Sequence, residues 1–156
     1  MVKPIPDNYP QLMPYLAIDG AAAAIDFYTT VFGATELMRM PGDAEGKIGH
    51  AEIKIGSAVV MLSDEHPAMG AVGPRTVGGT PVTLALYVED VDKVFAAAVE
   101  AGAKPLGEVS DQFYGDRVGQ FEDPFGHKWH VATHIEDVTP EQMQERMAAM
   151  PPEGTS

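Results

Sequence analysis

The sequence predicts an α+β protein in which two βαβββ modules form a curled mixed sheet around a shared cleft. Three observations predict it. A strand, an acidic residue, a helix and a closing Gly-Ala pair occur in that order twice, over residues 18–34 and again over 88–103. The copies lie roughly half a chain apart, which points to duplication and a pseudo-twofold architecture. Each copy is followed by strand-rich sequence with tight turns.

The elements follow in order. Residues 12–18 read as a strand. Asp19 is expected to cap the first helix, because its carboxylate can accept from free amides at a helix start. Ile25, Tyr28, Val31 and Phe32 then recur at helical spacing, and Gly33 supplies the stop. Residues 50–55 alternate, Gly56-Ser57 turns the chain, and 58–62 run back as a hairpin. Module one thus spans about 10–65. Residues 66–80, rich in Gly and Pro, are a connector or a lid. Module two spans about 81–135. It has a strand at 83–88 and a helix capped by Asp90, with Val91, Val94, Phe95, Ala98 and Val99 on one face. Residues 117–121 and 127–133 are strands joined by the turn Asp123-Pro124-Phe125-Gly126. Residues 137–156 are a C-terminal helical extension. It opens on the capping box Thr139-Pro140-Glu141-Gln142 and carries a stripe of Met143, Met147 and Met150.

Composition narrows the function. The chain has 156 residues, enough for one ordinary domain. It has no cysteine, which removes disulfides, thiolate nucleophiles and cysteine-held zinc. A formal net charge of −13 repels phosphate backbones, so nucleic acid is not an expected partner. That charge serves solubility, or attracts cationic ligands. No apolar run is long enough for a membrane span, and the first residues lack a signal peptide's apolar stretch. A cytoplasmic protein with no membrane partner is expected.

Alternation assigns the strand faces. Leu16, Ile18, Ile53, Ile55, Trp129 and Val131 suit the helix side. Met13, Tyr15, Ala17, His50, Glu52, Lys54, Met61, Thr83, Ala85, Tyr87, Lys128, His130 and Ala132 then face the cleft. His127, His134 and His66 are expected at the surface.

The stretches 25–34, 86–92 and 122–127 resemble the vicinal oxygen chelate superfamily. It contains glyoxalase I, extradiol dioxygenases, fosfomycin-resistance enzymes and bleomycin-binding proteins. The resemblance covers roughly residues 10–135. His50-Ala51-Glu52 and Met61-Leu62-Ser63-Asp64-Glu65 further resemble its PhnB-like branch. The resemblance implies metal ligands from four inward strand positions, here Met13, Met61, Thr83 and His130. Only His130 can hold a hard metal, because thioethers grip zinc and nickel poorly. No cofactor is therefore favoured.

Two functions stay open. One is a binder of a small, cationic or aromatic molecule, with Tyr15, Met61, Tyr87, Tyr114, Arg117 and His130 around the ligand. Arg117 would supply bidentate contacts. The other is a lyase or dioxygenase using zinc, nickel or iron held by His50, Glu52 and His130. A third route is metal-free acid–base chemistry at His50 and Glu52, with the carboxylate orienting the imidazole. The plainer reading of that pair is a solvated rim contact. The resemblance also implies a homodimer, sometimes with modules exchanged between chains.

Overall fold

The chain passes twice through a strand, a helix and a run of further strands, three in the first half and four in the second, and a computed structural model describes residues 1–152 of it. In the first half come β1 (Tyr15–Ile18), α1 (Ala21–Phe32), β2 (Thr35–Pro41), β3 (Ile48–Ile55) and β4 (Ala58–Asp64). They form a four-stranded sheet in the order β1-β4-β3-β2, with β1 parallel to β4 and the other pairs antiparallel. A 3₁₀ turn (Pro67–Met69) and the short α2 (Pro74–Val77) lead across. The second half has β5 (Thr83–Tyr87), α3 (Val91–Glu100), β6 (Lys104–Pro105), β7 (Ser110–Asp111), β8 (Asp116–Glu122) and β9 (Lys128–His134). Its five-stranded sheet runs β5-β9-β8-β6, with β7 also on β8. Neither sheet closes. α4 (Pro140–Ala149) follows. The end of the expected extension, residues 153–156, lies outside the described residues.

The helix starts show what local sequence decides and what it does not. Asp90 caps α3 as expected, accepting from the Lys93 amide at 3.2 Å. The Thr139–Gln142 capping box of α4 also forms. Asp19 does not cap α1. Gly20 takes the N-cap position with φ 105°, a left-handed turn that only glycine adopts cheaply, and no side chain of its own caps the helix. The buried carboxylate of Asp64, at the end of β4, does this work instead. It accepts from the amides of Gly20 at 3.2 Å, Ala21 at 3.0 Å and Ile48 at 2.7 Å. In the second half the Thr133 hydroxyl, near the end of β9, accepts from the Val91 amide at 2.8 Å. A polar side chain on the last strand of each half therefore holds the start of that half's helix.

The two halves meet through their helix-bearing faces. Ile18, Tyr28, Ile53 and Leu62 from the first half and Val91, Phe121 and Val131 from the second are fully buried in one core. Phe32 of α1 lies 4.6 Å from the Trp129 ring and 6.2 Å from Phe121, and Tyr28 lies 5.4 Å from Trp129. Each such aromatic burial is worth roughly 1.5–3 kcal/mol before geometry is counted. Asp123 ties the same junction with hydrogen bonds. Its Oδ2 accepts from the Tyr28 hydroxyl at 2.6 Å and the Trp129 indole at 2.9 Å. Its Oδ1 accepts from the amides of Phe125 and His127. Since side chains alternate along a strand, the opposite face of each sheet points away from this core.

Candidate functional site

The outward face of the first sheet carries a linked set of polar side chains. Register places Tyr15 beside Met61 on β4, and Met61 beside Glu52 on β3. His50 stands two residues before Glu52 and so shares its face. The Tyr15 hydroxyl lies 2.8 Å from His50 Nδ1. His50 Nε2 lies 2.8 Å from Glu52 Oε2. Glu52 Oε1 accepts from the Tyr9 hydroxyl at 2.5 Å. Tyr9 belongs to the segment ahead of β1, which crosses this face and leaves Glu52 buried. The His50 hydrogen bond, then that of Tyr9, holds the Glu52 carboxyl below its ordinary range. The same Tyr9–Glu52 bond pushes the Tyr9 phenol up.

Tyr15 is 54% exposed and borders two cavities. One, of about 450 Å³, runs between β1 and the connector and reaches Leu84 and His127. The other, of about 570 Å³, is also lined by Lys47, Asp64 and His66. A further cavity of about 380 Å³ lies where Tyr9, Met38, Glu52 and Lys54 meet.

The outward face of the second sheet carries a different set. Tyr87 donates to Asp116 Oδ2 at 2.6 Å. His134 Nδ1 lies 2.8 Å from Asp116 Oδ1, and its Nε2 lies 2.7 Å from Asp137. Half-buried His130 has Nδ1 3.3 Å from the Gln120 amide nitrogen. The Tyr87 bond, then that of His134, keeps the Asp116 carboxyl below its usual range. Asp137 first, and Asp116 second, raise the His134 imidazole. The Tyr87 phenol is raised, chiefly by Asp116, with Tyr114 contributing.

The structure therefore unites Tyr15, Met61, His50 and Glu52 on one face, and Tyr87, Tyr114 and His130 around another. Arg117 joins neither. It points to the helix side, where its guanidinium meets Asp92 of α3 at 2.8 and 3.0 Å and Asp111 at 2.8 Å. Those carboxylates raise its pKa further. Arg117 is thus held by two acids on the helix side, away from both outward faces. The metal set of His50, Glu52 and His130 is divided between the two faces. Among the described residues no group of three or more His, Asp or Glu is placed to hold a metal ion within one chain.

Three participants had no sequence signal singled out above. Tyr9 lies in a segment without periodicity. Asp116 carries no pattern of its own, and His134 reads only as a surface residue. The β8–β9 register, with Glu122 opposite Lys128 at the turn and Asp116 opposite His134 at the far end, is the signal that would have paired them.

Two strand–helix–strand modules share one helix-side core and turn polar–aromatic faces outward. The family model of the Glyoxalase/Bleomycin resistance protein/Dioxygenase superfamily matches residues 11–131, and the chain belongs to that superfamily. An uncharacterized protein of Mycobacterium tuberculosis is 43% identical over 143 residues, spanning 90% of this chain and 84% of the relative. The crystal structure of protein PA1353 from Pseudomonas aeruginosa shares 28% identity, with a TM-score of 0.67 over 81% of this chain and 99% of that one. TioX from Micromonospora sp. ML1 shares 29% identity, with a TM-score of 0.62 over 80% of this chain and 98% of that one. Among the described residues no helix is long and apolar enough to cross a membrane.

Proposed function

We propose that this chain, a PhnB-like member of its superfamily, binds a small cationic or aromatic molecule in a cleft completed by a second copy. The observation that carries this reading is the orientation of the two sheets. Their helix-bearing faces are consumed by one common core, so the outward faces bearing Tyr15 and His50, and Tyr87 and His130, are left to meet something outside the chain, while the Tyr9 segment covers Glu52. Their chemistry suits such a ligand. Phenols and thioethers supply adaptable apolar contact, and the outward faces hold the carboxylates of Glu52 and Asp116 beneath them on a chain with 23 acidic and 10 basic residues. The PhnB-like assignment rests on the His50-Ala51-Glu52 and Met61–Glu65 patterns. A PhnB protein from Bacillus cereus shares the fold, with 19% identity and a TM-score of 0.63.

The superfamily's metal does not fit the donors present. Met61 and His130 stand at corresponding places, paired with Tyr15 and Ala85 of the first strand in each half. Met13 and Thr83 complete the set. A thioether pair and a hydroxyl leave His130 as the one strong nitrogen donor. The substitute pair is engaged as well, since both ring nitrogens of His50 and both oxygens of Glu52 already have partners.

Calorimetric titration with a bleomycin-type cationic glycopeptide and with tryptamine, alongside native mass spectrometry, tests the reading. Saturable binding that weakens with added salt and with His130→Ala is expected. No binding of either probe, with zinc, nickel or iron retained stoichiometrically instead, would overturn it.

A further inference from the structure

We propose that residues 1–13 form a strap closed over the first sheet's outward face by one hydrogen bond, Tyr9 to Glu52, and that a ligand's ammonium enters by taking the place of the Tyr9 hydroxyl on that carboxylate. The inference rests on reading this face as a ligand site, and it names the contact that admits the ligand.

The strap lies over the strands without pairing with them. Pro4, Pro6 and Pro10 remove amide donors, and no residue from 1 to 13 belongs to a helix or strand. Among the described residues, the Tyr9–Glu52 bond, 2.5 Å long, is the one hydrogen bond that joins residues 1–13 to the rest of the chain. Lys3 bonds within the segment, to Asp7. Tyr9, Pro10 and Met13 are half-buried, and the other residues of the strap are exposed. A segment with a single anchor and little buried apolar contact opens at low cost.

What the strap covers is a buried carboxylate beside an unfilled space. His50 holds Glu52 Oε2, and Tyr9 occupies Oε1. Beneath Asn8, Tyr9 and Pro10 lies the cavity of about 380 Å³, with Leu37, Met38, Glu52 and Val59 in its lining. The strap therefore roofs this space and does not fill it. An ionised carboxylate only accepts hydrogen bonds. An ammonium N–H can donate to Oε1 as the phenol does, and it adds the full charge that the phenol lacks. A primary or secondary amine with an apolar body fits this chemistry, its nitrogen on Glu52 and its body against Met38 and Val59. Lys54 also lines the cavity, but it is exposed, and its long stem carries the charge out into water.

Calorimetry with tryptamine on wild type, Tyr9→Phe and the Tyr9→Phe/Glu52→Gln double variant tests the strap, together with backbone amide relaxation by NMR over residues 7–13. Tyr9→Phe keeps the ring and removes the anchor. It is expected to lower the order parameters of the strap. It is also expected to tighten tryptamine about tenfold, because the wild type binds only through its open fraction and gives up a bond to a charged group on opening. Adding Glu52→Gln should abolish that gain. Unchanged order parameters, equal or weaker tryptamine affinity in Tyr9→Phe, or a gain that survives Glu52→Gln overturns the strap. Tryptamine or glycopeptide bound by the wild type in any of those cases leaves the ligand-site reading standing. If neither probe binds wild type or Tyr9→Phe, both readings fail.

Discussion

His134 shows how two acids govern one imidazole. Asp137 and Asp116 both raise its pKa above the ordinary value, Asp137 the more. A raised folded-state pKa means that the charged form favours folding. The contribution is complete below the unfolded-state pKa and fades as pH rises through the folded one. The melting-temperature gap between wild type and His134→Gln is therefore expected to be widest near about pH 5.5 and to narrow by about pH 8.5. A gap that grows with pH would contradict the pairing. Asp123 makes a different test. It is buried, and four donors point at it. Asp123→Ala strands the Tyr28 hydroxyl and the Trp129 indole in the core and should cost about 3 kcal/mol or more in denaturant unfolding. The sequence identified Asp123 as a turn residue, which it is. Its partnership with Tyr28, 95 residues away, had no local signature. The placement of Arg117 had no local signature either. The acid that claims it most closely, Asp92, is 25 residues distant and becomes a neighbour only when α3 packs on β8.

At the scale of elements, periodicity was a sound guide and packing supplied the exceptions. The alternation along β3 put Ile53 and Ile55 toward the helix, and both are buried there. Glu52, on the other face, is buried too, because residues ahead of β1 lie across it with Tyr9. No pattern within β3 announces that cover. Asp64 is the clearest case of an element held from a distance. Asp64→Ala frees the amides at the start of α1 and that of Ile48, and should cost about 1–3 kcal/mol. Asp64→Asn, which keeps one acceptor, should cost less in the same denaturant series. The α3–β8 contact can be probed at Gly119. A Cβ there would sit 2.8 Å from a Phe95 ring carbon and 3.1 Å from Val109. Gly119→Ala is expected to destabilise by about 1–3 kcal/mol, and Phe95→Leu in the same chain to recover part of that loss. Additive losses in that double-mutant cycle would show that α3 does not rest on this glycine.

For the whole molecule, the duplication legible in the sequence explains why one chain offers two unlike faces. The first presents Tyr15, Met61, His50 and Glu52, and the second presents Tyr87, Asp116 and His130. Exposed apolar groups extend both: Leu37 and Met40 on β2, Val82 just before β5, and Tyr87 itself at 67% exposure. Monomeric proteins seldom leave such surface uncovered. A twofold axis that sets the first face of one chain against the second face of its partner generates the same contact twice. Each of the two resulting clefts would then draw His50 and Glu52 from one chain and His130 from the other. A solution mass of twice 16.7 kDa is expected by light scattering, with a melting temperature that rises with protein concentration. Mixing variants gives the sharper test. His50→Ala and His130→Ala homodimers each have two damaged clefts. After subunit exchange, random pairing makes half of the dimers mixed, and each mixed dimer has one cleft with both histidines intact. Tryptamine or glycopeptide binding should therefore return to about one quarter of the wild-type sites. If each cleft were built within a single chain, every cleft in the mixture would still carry a substitution, and mixing would restore nothing.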